Sequence, residues 1–192
     1  MPNHVYSTIE ICGDEKEIKE IQEKIKGATE DGTDMPFDCD KIIPQPQEIK
    51  DTGGAWYNWC VDNWGTKWGA YSQPKNEEIE ILEPDTNSVK FMKESSSPLR
   101  IIRYPFQTAW SPLDPVVEKL SEMYPEVMIK YAYLDEGDQF AGYDYYKGGE
   151  KIAEVDMTQN GCREVEKYVT QYSYDDSFRG FNEIYQDMLE YL

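Results

Sequence analysis

The chain has 192 residues, with 38 acidic against 19 basic side chains, a formal net charge of −19 and 14% aromatic residues. That length points to one domain, or two small ones packed tightly, and the aromatic content points to a folded core rather than an acidic tail. The charge disfavours direct binding to nucleic acid or anionic membrane surfaces and favours basic partners.

No apolar run approaches the roughly 20 residues needed to cross a bilayer. The opening MPNHVYSTIEICG lacks the basic and apolar regions of a secretory signal. Cys12, Cys39, Cys60 and Cys162 are far apart and form no CxxC pair. Reduced thiols in a cytoplasm are therefore expected, with neither a disulfide framework nor a zinc site.

Val5, Ser7, Ile9 and Ile11 alternate with more polar residues, which predicts a strand with one buried face. Asp14 and Glu17 have the spacing of a capping box, and Ile18, Ile21 and Ile25 form a helical stripe that Gly27 ends. Residues 28–40 read as a polar loop, and FDCDKIIPQP as an extended segment because Pro44 and Pro46 disfavour helix before them. WYNWCVDNWGTKWGAY, Trp56 to Tyr71, holds four of the five tryptophans. Its spacing predicts a helix, with Gly65 just past the end. The simplest expectation buries Trp56 and Trp59 against a sheet and sets Trp64 and Trp68 over its edge.

Glu78 to Leu82 and Val89 to Met92 read as short strands. Leu99 to Trp110 reads as a longer one, broken or bulged near Pro105. Asp114-Pro115 is helix-start chemistry, and Val116, Val117, Leu120, Met123 and Tyr124 supply the apolar side. Val127 to Tyr133 is a strand, DEGDQ a turn, Phe140 to Lys147 its hairpin partner, and Ile152 to Met157 one more strand. Asp176 or Ser177 can cap a last helix lined by Phe178, Phe181, Ile184, Tyr185, Met188 and Leu192. The order predicts an α+β fold: a ferredoxin-like, split βαβ core, a largely antiparallel sheet with helices on one face, then a C-terminal β-meander and helix. Residues 1–160 would form this domain, with a tryptophan-rich helical insertion at about 50–72, and residues 161–192 a helical extension packed on it.

Two constellations are candidate sites. Asp135, Glu136, Asp138, Asp144, Glu150, Glu154, Asp156, Glu164 and Glu166 crowd the C-terminal half with few basic neighbours. As a patterned negative face they would imitate a phosphate backbone and meet the Arg and Lys of a basic groove. The plainer reading is a solvated surface. Trp64, Lys67, Trp68, Tyr71 and Trp110 combine ring faces with one cation, as an aromatic anchor or a seat for a planar ligand such as a nucleotide. The loops EDGTD and DEGD are oxygen-rich but lack EF-hand spacing. No catalytic motif is present, and His4, the only histidine, has no evident triad companions. No cofactor or metal is expected.

MPNHV at the start, KIIPQP at 41–46, WYNWCVDNWGTKWGAY at 56–71 and TAWSPLDPVVEKLSEMYPE at 108–126 resemble the YubB-like family of conjugative plasmids and phages. That family is marked by an MPNH opening, an xIIPxP segment, a WxxWxxxNWGTKW block and a TAWSPPxPV helix start followed by MYPE. Leu113 stands where a second proline is usual. The resemblance runs from residue 1 to about 150 and implies a ferredoxin-like domain with no assigned biochemical function. It also implies a mobile-element setting. Beside the charge, that favours a cytoplasmic, non-enzymatic protein that blocks a basic, nucleic-acid-binding host defence complex such as a CRISPR or restriction effector.

Overall fold

The computed structural model describes residues 3–29, 31–51, 53–84, 97–137 and 139–156. The expected strand at 89–92 and the C-terminal extension with its helix lie outside these residues. β1 (His4–Asp14) leads into α1 (Glu15–Ile25), then a small hairpin of β2 (Gly27–Ala28) and β3 (Asp34–Met35). Three helices follow: α2 (Cys39–Ile42), α3 (Gln47–Asp51) and α4 (Trp56–Trp64). β4 (Ile81–Leu82), β5 (Leu99–Ala109), α5 (Asp114–Met123), β6 (Met128–Asp135), β7 (Ala141–Lys147) and β8 (Glu150–Asp156) complete the described elements.

The main sheet has the order β4-β5-β1-β6-β7-β8 with antiparallel neighbours throughout. β5 and β6 are therefore parallel to each other with β1 between them, joined by α5. This is the split βαβ unit of a ferredoxin-like fold, and β7 and β8 extend it as a meander. α1 and α5 pack on one face of the sheet, and the insertion helices α2 and α4 pack against them. Ile18, Ile21 and Ile25 of α1 and Val116, Val117 and Leu120 of α5 meet Ile9, Ile11, Ile102, Tyr104 and Ile129 in the principal core. No helix among the described residues is long and apolar enough to cross a membrane.

Several local expectations change. Asp14 makes no side-chain cap, because it still pairs with Leu99 at the end of β1. The Glu15 amide instead donates to Pro98 O, at 2.9 Å. Cys39–Ile42 is helical rather than extended, since the Asp38 carboxylate accepts from the Asp40 amide at 2.9 Å and starts the turn. The prolines constrain only Ile43 and Gln45, which lie past its end. The strand expected at 78–82 shrinks to Ile81–Leu82 after a 3₁₀ turn at Asn76–Glu78.

β5 runs through Pro105 without a bulge. Gln107 exchanges both backbone bonds with Tyr71, on the side away from β1. The same side at position 105 falls between β4, which ends its pairing at Ile102, and Tyr71. The missing N–H of Pro105 thus faces a gap in the edge pairing, where it costs no ladder bond.

α4 ends as expected at Gly65, whose φ is 78°. A Cβ there would sit 2.9 Å from Pro115 Cδ at the start of α5. Gly65→Ala is expected to lower unfolding stability by about 1–2 kcal/mol from the left-handed backbone, with the clash adding to it. Denaturant unfolding of the two proteins checks this, and equal midpoints would contradict it.

Candidate functional site

Three separated stretches of the sequence meet at one corner of the sheet. Asn3 O accepts from the Trp110 amide at 3.0 Å, and His4 O accepts from the Glu136 amide at 2.9 Å. Thr66 Oγ1 donates to Ala109 O at 2.7 Å, and Ser111 Oγ donates to Gly65 O at 2.5 Å. The N-terminus, the end of the tryptophan-rich block and the end of β5 are thereby tied together.

His4 is the hub of the polar contacts. Its Nδ1 lies 2.5 Å from the Tyr71 hydroxyl, which donates its one hydrogen to Thr108 O at 3.1 Å. With that hydrogen on Thr108 O, the tautomer that suits the contact carries its proton on Nδ1 and donates to the phenol oxygen. Tyr71 also meets Trp68 edge-on, with ring centroids 6.0 Å apart, and Lys67 Nζ lies 4.5 Å from the Trp68 ring centre. Burial, the Glu136 carboxylate and Tyr6 push the Tyr71 phenol above its ordinary range. Sequence reasoning set His4 aside for lack of companions. The signal that locates it is the pairing of β1 with β5, which sets His4 opposite Ala109.

Trp110 stands apart from the other tryptophans. It is 50% exposed and has a φ of 76°. An indole in the left-handed region is an outlier that carries roughly 1–2 kcal/mol of strain. The bond to Asn3 O and the Thr108 Oγ1 bond to Ser111 O, at 2.7 Å, hold the chain on either side.

The acidic residues divide. Asp135 is buried and shapes the β6–β7 turn: it accepts from Asn3 Nδ2 at 3.3 Å and from the amides of Gly137 and Gln139 at 3.0 and 3.3 Å. Asp144 is fully buried on the helix side of β7, 2.8 Å from Lys151 Nζ. Burial pushes its carboxyl up to about 6 despite that lysine. Neither can meet a partner, which corrects the expected acidic face. Glu136, Glu150 and Glu154 are exposed. Asp138, Glu164 and Glu166, and the side chain of Asp156, lie outside the described residues. Among the aromatic candidates, Trp64 is buried, its indole N–H donates to Ile43 O at 2.9 Å, and it packs edge-on against Trp59. It is core, contrary to the expectation that it lies over the edge. Lys67, Trp68 and Tyr71 are half-buried at the corner.

A polar row that sequence reasoning missed crosses the sheet face opposite the helices. Register places Arg103, Glu10, Lys130 and Tyr145 side by side on β5, β1, β6 and β7. Glu10 and Lys130 are each 1% exposed, and Arg103 Nε lies 2.7 Å from Glu10 Oε1. The Lys130 ammonium sits 5.1 Å from the Tyr143 ring centre.

Burial is the largest influence on Lys130 and brings its pKa down to about 7, with Arg103 acting the same way against Glu10. The unfolded lysine has its ordinary value of 10.5. Between these pH values the unfolded chain binds a proton that the folded chain lacks, so raising the pH through that window favours folding. Below the window the full cost of the buried ammonium is present. Lys130→Met is therefore expected to flatten the rise of stability between pH 7 and 10.5, by about 1.4 kcal/mol for each pH unit across it. Parallel pH series of denaturant unfolding would read this, and identical slopes would refute it.

Residues 67–175 match the family model described as the ferredoxin-like domain in Api92-like protein. No curated protein matches the chain. Among solved structures it is similar to the crystal structure of a protein api92 from Yersinia pseudotuberculosis, at 16% identity and a TM-score of 0.42. The similarity covers 62% of this chain and 39% of that one.

Proposed function

The chain belongs to the family of ferredoxin-like domains found in Api92-like proteins, and from that premise we propose that it is a binding protein whose aromatic corner docks on a basic partner. Trp110 carries this reading. A half-exposed indole is held at a φ of 76° where three chain segments are tied together. Backbone strain of that kind persists where the surrounding structure over-determines it, and it clusters at functional sites. Tryptophan is also enriched among the hot spots of protein interfaces, and its ring face suits a guanidinium or ammonium group.

The net charge of −19 supplies the long-range half of the recognition. It draws in a basic partner and speeds encounter. Glu136, Glu150 and Glu154 remain available on the surface to meet Arg and Lys side chains that otherwise hold phosphate. The partner this chemistry favours is a nucleic-acid-handling host complex of the CRISPR or restriction type, occupied and blocked by a phage- or plasmid-encoded protein in the host cytoplasm. The charge and the mobile-element resemblance of the sequence blocks support that finer identity.

Affinity capture from bacterial lysates carrying defence systems, at low and high salt, tests the reading. A basic nucleic-acid-binding complex is expected at low salt. Less is expected at high salt, because exposed charges are screened over about 8 Å already at physiological ionic strength. Trp110→Gly accepts the positive φ without strain and is expected to weaken capture at least about tenfold, or about 1.4 kcal/mol. A partner held equally by the wild type, by Trp110→Gly and by the Glu136→Lys, Glu150→Lys, Glu154→Lys triple variant would sink the proposal.

A second reading rests on Lys67 lying over Trp68 beside Tyr71. A ring face with an adjacent cation suits a nucleotide or another planar anion. Such a ligand is expected to quench tryptophan fluorescence with little dependence on salt, and Trp68→Leu to abolish the quench. Nucleotide titrations that leave the emission unchanged would remove this reading.

A further inference from the structure

The face of the sheet opposite the helices is buried, and the described elements do not account for that. Cys12, Ile101 and Tyr145 are at most 1% exposed and form a second apolar cluster with Met128, Tyr143 and Ala153. No residue of the described helices belongs to it. The buried row of Glu10 and Lys130 lies on the same face. The described helices pack with the other cluster, on the other side.

We propose that the chain's own C-terminal residues 157–192 dock across this face, setting an apolar helical stripe on Cys12, Ile101 and Tyr145 and carboxylates toward Arg103 and Lys130. The proposal goes beyond the docking function and does not depend on it.

Four observations lead to this occupant. Residues 157–192 follow directly on Asp156, the last residue of β8, and Ala153 of that strand is already part of the cluster. The ferredoxin-like domain match continues past β8 to residue 175. The sequence from Asp176 to Leu192 has helical apolar spacing in Phe178, Phe181, Ile184, Tyr185 and Met188. As a helix its seventeen residues reach roughly 25 Å, close to the roughly 24 Å across five strand spacings.

Charge fits as well. Residues 157–192 carry seven Asp or Glu against three Lys or Arg, a net −4, and the buried row on the face sets Arg103 and Lys130 against the single acid Glu10. The other stretch outside the described residues, 85–96, is a poorer fit. It has twelve residues with three large apolar side chains, Val89, Phe91 and Met92. In sequence it joins β4 to β5, the two strands at the end of the sheet opposite β8.

Cross-linking of the intact protein tests this. Photo-methionine replaces methionine throughout, and adducts from Met128 are mapped by mass spectrometry in a mixture of light and isotopically heavy chains. Met123, packed against the helix-side core, serves as the internal control. Met128 is expected to link to residues 157–192 of the same chain. Links only to 85–96, links only between light and heavy chains, or none from Met128 while Met123 reacts, would overturn the proposal.

Pulsed alkylation gives a second readout. Phe181→Asp is expected to speed modification of Cys12 about tenfold, the equivalent of about 1.4 kcal/mol of lost docking. Cys39, in the helix-side core, should stay protected. An unchanged Cys12 rate would count decisively against docking on this face.

Discussion

Glu10 sits in the middle of the central strand with 1% of its surface exposed, and Arg103 of the neighbouring strand holds it at 2.7 Å. A carboxylate buried without a cation or hydrogen bonds costs several kcal/mol. The pair is therefore a strong constraint on register. Slipping β1 by one residue against β5 would turn Glu10 into the isoleucine core and carry Ile9 and Ile11 out of it. With the register fixed, His4 lies opposite Ala109, and the N-terminus reaches the end of β5, where Trp110 begins its turn. The corner with the strained tryptophan is thus a geometric consequence of an ion pair six residues away along β1.

Burial within the same sheet takes Asp135 and Asp144 out of the expected acidic face. The sheet is buried on both faces, so any acid on a central strand is inside. Asp144 and Tyr146 face the helices while Tyr143 and Tyr145 face the other way, and every one of these needs cover or a partner. Asp144 takes Lys151, and Asp135 takes the amides of its own turn. What remains outside is a diffuse negative field. Such a field sets solubility and encounter rates, but it does not by itself define a binding patch.

The order of elements was legible because the periodicities are clean: isoleucines three and four apart in α1, alternation in β1, proline at the start of α5. Local capping was less so. The Asp14 capping box failed because strand pairing runs through that residue, and long-range pairing cannot be seen in a four-residue pattern. The tryptophan block was legible as a helix ending at Gly65, but not as to which rings are inside. Trp64 is taken into the core by the Ile43 carbonyl, a partner 21 residues away. The candidate site was the least legible part. His4 and Tyr71 are 67 residues apart, and only the assembled sheet shows that one answers the other. Asp144 could have been placed inside from AGYDYYK, where aromatics on both alternating positions signal a strand covered on both faces.

Trp64 and Trp110 show how one residue type serves two purposes. Trp64 gives up its exposure and finds a carbonyl for its N–H, which is what a core indole requires. Trp110 keeps half its surface in water and bears a backbone conformation that a glycine would adopt freely. Stability alone would favour replacing it, since the strain is local and the exposed ring recovers little of it. A feature that is costly to the fold and directed outward is what the proposed docking role would require of it. The negative field acts at a distance and with little selectivity, whereas a fixed ring acts only on contact and with defined geometry. In the docking we propose, the two would be complementary halves of one recognition event: the charge would bring basic surfaces close, and the corner would decide which of them stays.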